Sequence, residues 1–415
     1  MSGTSSPGSF ALSDCLTPAQ LEQLYYNVVL QHDFYGDSYG ADWNIGPYDE
    51  MAALLAEIFE PRQHVDVGCG KGFLVLAMRR RGIDSFGIDF SPALIKQAPQ
   101  EAQPFLKVAT AENWINSGTV TDADLITYME VFEHLPVNVC ASVLQTLRDN
   151  FHGRLLITTP SYGVDDRWHL GIVTNDDVPT WREDMARNVP FRQIVLQDGL
   201  PHHGHITLCS YRWWTEFFLL NGWVRSLDLE SKASREFGAT LRKYHWNPYI
   251  LERLLPDIFE IDIATSNQLG NGWHDAERAG HHDKGRWTNG RAEIYVDSTK
   301  EKLVAVEIVF TAPSVNVVKD YTLSIVVEQQ VKKKDYELSW EPIYSSLPVS
   351  VPSRETLQTL KIAVRSPNAQ QTRPRGSTLF RLTIVSLSFS PRDYDLSTDD
   401  RTLGLFIHRV TIESS

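Results

Sequence analysis

Residues 64–90, HVDVGCGKGFLVLAMRRRGIDSFGIDF, place three glycines between an apolar run and a helical pattern, then end a second apolar run on an aspartate. A strand that turns on glycines directly into a helix opens a βαβ unit, and right-handed crossovers then call for a parallel, doubly wound sheet. The spacing also restricts the ligand. A dinucleotide fold asks for G-x-G-x-x-G, but Gly68, Gly70 and Gly72 are spaced G-x-G-x-G with Phe73 next. A P-loop asks for Gly-Lys-Ser/Thr, and Lys71 is followed by Gly72. Neither phosphate cradle fits.

The chain of 415 residues is long for one domain, so two are expected. Residues 18–60 show helical spacing, as at Leu21, Leu24 and Tyr25 and again from Met51 to Phe59. From His64, β-rich runs (HVDVG, SFGIDF, FLKVAT, DLITYM, RLLITTP) alternate with helical ones (GFLVLAMRRRG, SPALIKQA, VCASVLQTLRDNF). After Pro160 a long irregular segment, 161–204, is too extended for an ordinary connection and reads as either a functional lid or an acceptor-side insertion. A helix, YRWWTEFFLLNG, and the runs VRSLDLES and FEIDIAT then resume the α/β pattern. Beyond residue 266 the helical pattern gives way to short alternating runs such as KLVAVEIVF, YTLSIVVEQ and LFRLTIVSLSF, which predict an antiparallel β-sandwich. The expected plan is a flexible tail over 1–17, an α/β domain over 18–265 and a β-sandwich over 266–415.

Composition narrows the setting. Acidic residues outnumber basic ones 52 to 39, a net charge of −13, which disfavours a nucleic-acid partner. The four cysteines, Cys15, Cys69, Cys140 and Cys209, are far apart and form no Cys-x-x-Cys pair, so reduced thiols are expected in place of disulfides or structural zinc. No apolar run approaches the roughly 18 residues that cross a bilayer. The start, MSGTSSPGSF, reads as a loose tail and not a signal peptide, so a cytoplasmic protein is expected.

Asp66, in the strand before the turn, is ill placed beside a pyrophosphate but suits a cation with an amino group. Asp89 stands 21 residues beyond Gly68 (89 − 68), where a carboxylate at the sheet's carboxyl edge can accept both ribose hydroxyls. Ribose, cation and no phosphate point to S-adenosylmethionine. With VDVGCGKG, GIDFS, EVFEHLP and LLITTP in this order, residues 40 to 265 resemble class I S-adenosylmethionine-dependent methyltransferases. The resemblance implies that Gly68, Gly70 and Gly72 approach the methionyl part, that Asp89 holds the ribose, and that VATAENW contacts adenine through Ala111 and Glu112. Thr110 stands where the family usually has Asp. Glu130 is counted with the cofactor-binding residues.

Methyl transfer is an in-line displacement that needs an aligned acceptor and a route for its proton. EVFEHL supplies Glu130, Glu133 and His134 at i, i+3 and i+4, one face if helical, and His205 precedes an aromatic-rich helix. Two carboxylates and two imidazoles make a donor set for Mg2+ or another divalent metal. The E-x-x-E-H arrangement with a distant His is similar to that of small-RNA 2′-O-methyltransferases and in part of ubiquinone O-methyltransferases, which implies metal ligation by Glu130, Glu133, His134 and His205. The same segment recurs in methyltransferases without metal. There, Glu133 and the histidines serve as local structure or as a base, and His134 or His205 takes the proton. His202 and His203 read as exposed loop histidines.

Trp168, Trp181 and the acids around them in 161–204 could stack and bind a sugar, or simply pin the loop. Trp213 and Trp214 are expected in the core. At the chain's far end, GWHDAERAGHHDKGRWTNGRAEIYV and DDRTLGLFIHRVTI resemble the ends of a β-sandwich module attached to bacterial surface-polysaccharide enzymes. There Trp273, Glu277, Arg286 and Trp287 form either a sugar platform or a tie between linker and sandwich. The sum of these features is an O-methyltransferase acting on a sugar hydroxyl of a glycan or glycosylated metabolite. Two other readings stay open: a small phenolic or polyketide acceptor, and a non-catalytic carbohydrate-binding protein with a vestigial pocket.

Overall fold

The computed structural model describes residues 11–12, 17–30, 43–115, 122–163, 180–197, 200–244, 246–278, 284–300, 302–312, 320–364, 377–392 and 399–415. The chain divides into two compact units, the first over 1–253 with 334–337 and the second over 254–333 and 338–415. Most of the expected tail, with Cys15, and the 164–179 part of the insertion, with Trp168, lie outside the described residues. Ala11 and Leu12 do not belong to a tail; they pair with Leu196 and Val195.

The first unit opens with helices α1 (Pro18–Leu24) and α2 (Gly46–Phe59). α2 starts with Pro47 in its first turn and buries Met51, Leu54, Leu55 and Ile58, the inward face of a 3.6-residue repeat. It stops where Glu60 turns left-handed ahead of Pro61. There follow β1 (Gln63–Val67), α3 (Phe73–Arg80), β2 (Asp84–Asp89), α4 (Pro92–Lys96), β3 (Leu106–Val108), α5 (Ala111–Ile115), β4 (Leu125–Met129), α6 (Val137–Asn150) and β5 (Arg154–Thr158). After the insertion, which contains α7 (Trp181–Arg187), come α8 (Tyr211–Leu220), β6 (Trp223–Arg225), α9 (Leu227–Lys243) and β7 (Pro248–Arg253).

The seven strands form one sheet in the order β6-β7-β5-β4-β1-β2-β3. β1 to β5 are parallel, and β7 runs antiparallel to both β5 and β6. The order reverses between β1 and β4, so loops at the carboxyl ends of these strands diverge and leave a crevice there. Behind it α8, capped by Ser210, whose hydroxyl accepts from Trp213 N at 3.0 Å, buries Trp213 and Trp214 completely, as expected of core residues.

The second unit has two antiparallel sheets. Its strands are β8 (Glu260–Asp262), β9 (Lys284–Trp287), β10 (Arg291–Ser298), β11 (Leu303–Ala312), β12 (Asp320–Lys332), β13 (Leu338–Ser345), β14 (Val349–Pro352), β15 (Arg354–Ala363), β16 (Thr378–Ser386) and β17 (Phe406–Ser414). One sheet runs β9-β17-β11-β15 with β8 on β17, and the other β10-β16-β12-β13 with β14 on β12. Along β12, Tyr321, Leu323, Ile325 and Val327 are buried at every second position, the period that identified this run as a strand. FEIDIAT does not continue the α/β pattern. Its Glu260–Asp262 pairs with Thr411–Arg409, so the first unit ends at Arg253 and not at 265.

The two ends of this unit are tied by side chains. Arg286, almost wholly buried, donates to the carbonyls of Ile263, Ala264 and His274. Arg401 pairs with Asp399 at 2.7 Å and Glu277 at 3.2 Å, and Trp273 Nε1 donates to Glu293 O at 2.7 Å. Of the two roles expected for Trp273, Glu277 and Arg286, these contacts are those of a structural tie.

Candidate cofactor and metal site

At the crevice lies a cavity of about 410 Å3 lined by Asp66, Gly68, Gly70, Asp89, Glu130, Glu133, His134 and His205, among others. Its floor is the glycine turn. Gly68 and Gly70 have φ of +76° and +53°, and a Cβ at Gly68 would lie 2.4 Å from Val131 Cγ2. The turn therefore excludes side chains on both conformational and steric grounds, and its main chain is exposed to a ligand. Gly72, with φ of +70°, precedes α3 and packs on Leu106; it is not among the residues lining the cavity.

Asp89, 6% exposed, accepts from Gly70 N and Ser91 N, both at 2.8 Å. These bonds fix its carboxylate to the turn and to the N-cap of α4. Asp66, 3% exposed, accepts from the Thr127 hydroxyl at 2.7 Å. Thr127 lies 2.9 Å from His64 Nε2, and His64 Nδ1 lies 2.8 Å from the Ser85 hydroxyl. A hydroxyl has one hydrogen, so Thr127 must accept from His64, which puts the imidazole proton on Nε2 and leaves Nδ1 to accept from Ser85. Burial, with the Asp89 charge adding to it against the Thr127 bond, pushes Asp66 up to about 7, and burial pushes His64 down to about 3.

The acidic and imidazole cluster forms without the helical face expected for EVFEHL. Glu130 sits in left-handed backbone at φ of +54°, Phe132–His134 is one 3-10 turn, and α6 begins only after Pro136. A side chain four residues on cannot be brought round by a helix that is not there. The cluster is assembled instead by main-chain bonds: Ile206 N and Thr207 N donate to Glu133 O at 2.8 and 2.9 Å, and Thr207 Oγ1 donates to Leu135 O at 2.6 Å. His134 Nδ1 donates to Gly204 O at 3.1 Å, which turns the lone pair of Nε2 toward the cluster.

Ligating atoms of Glu133, His134 and His205 lie within 4.8 Å of one another. The rings of His134 and His205 are 5.0 Å apart, and His134 Nε2 is 3.8 Å from Glu133 Oε1, too far for a hydrogen bond. Glu133 is fully buried, yet neither carboxylate oxygen closes a well-aligned hydrogen bond, although Thr159 and Glu130 adjoin it. Glu130 Oε1 is likewise buried without a well-aligned hydrogen bond, although Thr158 and Glu133 adjoin its carboxyl. Burial, then the Glu130 charge, holds the Glu133 carboxyl well above its usual range, while burial pushes His134 down to about 4. One buried carboxyl and two imidazoles gathered in this way suit a divalent cation, so Glu133, His134 and His205 fit such an ion, whereas Glu130, expected as a fourth ligand, is not among the residues brought together.

Of the residues assigned to adenine, Ala111 is buried and Glu112 accepts from Tyr26 Oη at 3.0 Å; neither lines the cavity. Trp181 does not offer a free face. It is buried against Tyr162, Phe191 and Leu208, so it pins the insertion. His203, expected as a plain loop histidine, lines the cavity in left-handed backbone at φ of +54°. The sequence reading missed Tyr25, Trp43, Tyr48 and Trp246 as site residues; all four line the cavity.

Sheet order and the glycine turn define a Rossmann-like domain. Residues 46–223 match the family model described as a methyltransferase domain. The ubiquinone biosynthesis O-methyltransferase of Alkalilimnicola ehrlichii is 34% identical over 107 residues, 23% of this chain and 42% of that protein. The mitochondrial ubiquinone biosynthesis O-methyltransferase of Schizosaccharomyces pombe is 31% identical over 122 residues, 27% of this chain and 44% of that protein. The chain thus spans less than half the length of these curated relatives. An O-methyltransferase family protein from Burkholderia thailandensis overlays with a TM-score of 0.35 at 15% identity, covering 56% of this chain and 63% of that one.

Proposed function

We propose that the chain is an S-adenosylmethionine-dependent O-methyltransferase whose acceptor hydroxyl is activated with the help of a divalent metal. One observation carries the metal part: the buried, unpaired carboxylate of Glu133 facing His134 and His205 in the same cavity as the glycine turn. Asp89 would take the ribose hydroxyls, Asp66 the amino group, and the main chain of Gly68 and Gly70 the methionyl part. Glu133, His134 and His205 would hold the ion. When bound, a divalent ion lowers the pKa of a chelated hydroxyl and so supplies the nucleophile at neutral pH. In the transfer the acceptor oxygen would bond to the methyl carbon as the carbon–sulfur bond breaks, the electron pair staying on sulfur and the hydroxyl proton leaving to solvent.

A chelated acceptor presents two adjacent oxygens. The aromatic side chains of Tyr25, Tyr48 and Trp246 that line the cavity favour a planar ortho-dihydroxylated ring, and relatives named for ubiquinone biosynthesis accord with a ring-shaped acceptor. A glycan hydroxyl is the second reading, supported by the resemblance of the second unit's ends to modules of surface-polysaccharide enzymes. A cytoplasmic setting accords with Cys69, Cys140 and Cys209 being free and buried.

The test measures released S-adenosylhomocysteine over catechols, glycosides and oligosaccharides, before and after EDTA, with Glu133→Ala alongside. Chelation and the substitution should each abolish turnover while S-adenosylhomocysteine still binds. Full turnover after chelation, with no metal by elemental analysis, would overturn the metal part and leave the proton to a histidine. Turnover on sugars but on no catechol would hand the acceptor to the second reading.

A further inference from the structure

We propose that Trp43 supplies the aromatic surface on which the donor's positive charge rests, and so sets the preference of the site for the charged donor over its neutral product. The inference rests on the cofactor reading above.

Trp43 belongs to the cofactor turn more closely than to the acceptor side. At Gly70 the place of a Cβ is taken by the six-membered ring of Trp43, with Cζ3 2.8 Å away. The indole therefore packs directly on the main chain of the residue that donates to Asp89. Trp43 lines the same cavity as Asp66 and Asp89 and remains partly exposed, so a donor held by these two carboxylates over the glycine turn shares that cavity with the indole.

The residues that follow it are held at the entry to α2: Asn44 Oδ1 accepts from Gly46 N at 3.1 Å, and Tyr48 in the first turn of α2 stacks on Phe73, the first residue of α3, with centroids 5.8 Å apart.

The chemistry gives a reason for an aromatic group at this point. A sulfonium in a low-dielectric cavity needs compensation, and a carboxylate against the methyl would itself be a nucleophile able to intercept it. An indole face attracts a cation through its quadrupole and offers no competing lone pair. Transfer of the methyl removes the charge, so the attraction is lost in the product and product release is favoured.

Calorimetric titration of the full chain with S-adenosylmethionine and S-adenosylhomocysteine tests this, using wild type, Trp43→Phe and Trp43→Leu. Trp43→Leu should weaken the methionine form by about 3- to 30-fold more than the homocysteine form, with Trp43→Phe in between. Equal losses for both ligands, or none, would overturn the inference, because a merely structural ring has no means of sensing the charge. If Trp43→Leu does not fold, Trp43→Phe decides by the same difference. Absence of binding of either ligand to the wild type would sink the cofactor reading itself, an outcome separate from both of these.

Discussion

Neutralising Asp66 should change the pH dependence of stability in a way few substitutions can. In the folded chain its carboxyl is pushed up to about 7 from an ordinary 3.8, with burial as the leading cause. A raised folded pKa means the folded state holds a proton the unfolded state has lost, so stability present below pH 4 is lost as pH rises through about 7. The loss is about 4 kcal/mol, with a local slope of up to about 1.4 kcal/mol per pH unit. His64 has the opposite sign. Its folded pKa is depressed to about 3, so the unfolded state binds the extra proton and stability rises with pH from about 3 to 6.5. The two slopes, in groups joined through Thr127, oppose each other across the acid range.

Asp66→Asn keeps an acceptor for Thr127 and removes one slope. Urea unfolding of the ligand-free chain, followed by the far-ultraviolet helical signal, reports the first unit, which holds the nine α-helices among the described residues. The variant should gain on wild type by about 4 kcal/mol between pH 4 and pH 7, while slopes from other groups cancel in the difference. Thr127→Val, which deprives the carboxylate of its donor, should move the wild-type decline to higher pH. Parallel curves for wild type and Asp66→Asn would show a carboxylate already ionised in the folded state, and the buried chain from Ser85 to Asp66 would have no energetic weight.

Gly68→Ala should destabilise by about 2–4 kcal/mol, combining left-handed backbone strain with a Cβ against Val131. Adding Val131→Ala should restore the steric part alone, and full additivity in a double-mutant cycle of unfolding free energies would refute the contact. Arg286→Met leaves the carbonyls of Ile263, Ala264 and His274 without their donor and should cost the second unit at least about 3 kcal/mol in melting and proteolysis assays. Unchanged stability in that variant would reopen the sugar-platform role for this corner.

What could be read from the chain follows how local each cause is. The glycine turn and Asp89 were legible because a sharp strand-to-helix turn and the next strand's last residue are set within 25 or so positions by main-chain geometry. The β-rich second unit was legible because alternation repeats along strands as long as Asp320–Lys332. Other features depend on contacts with no local signature. Trp43 and Trp246 reach the cavity from segments far apart in sequence, and nothing in their neighbourhoods separates them from core tryptophans such as Trp213. Trp181 looked like a ligand platform for the converse reason. Acids flank it in sequence, yet the fold turns its ring into a small core with Tyr162 and Phe191.

The cluster around Glu133 marks the boundary between these cases. Its residue types were evident from the chain, and the helix invoked to gather them is absent. Glu130 in left-handed backbone would cost roughly 1–2 kcal/mol for a non-glycine residue, and strain of that kind persists where surrounding bonds over-determine the conformation. Here they do: Glu130 N donates to both Thr158 O and Thr158 Oγ1 at 3.0 Å, and the extended segment that follows His205 is bonded to Glu133 and Leu135 through Ile206 and Thr207. Most of these bonds run between main-chain groups or from a threonine to a carbonyl, so they hold the four side chains in place whether or not a ligand is bound. A helix face would have splayed these groups along its axis. Joining a tight turn to a segment some 70 residues later brings the ligating atoms of Glu133, His134 and His205 within 4.8 Å of one another, which is the arrangement a small cation requires and a solvated surface cluster does not.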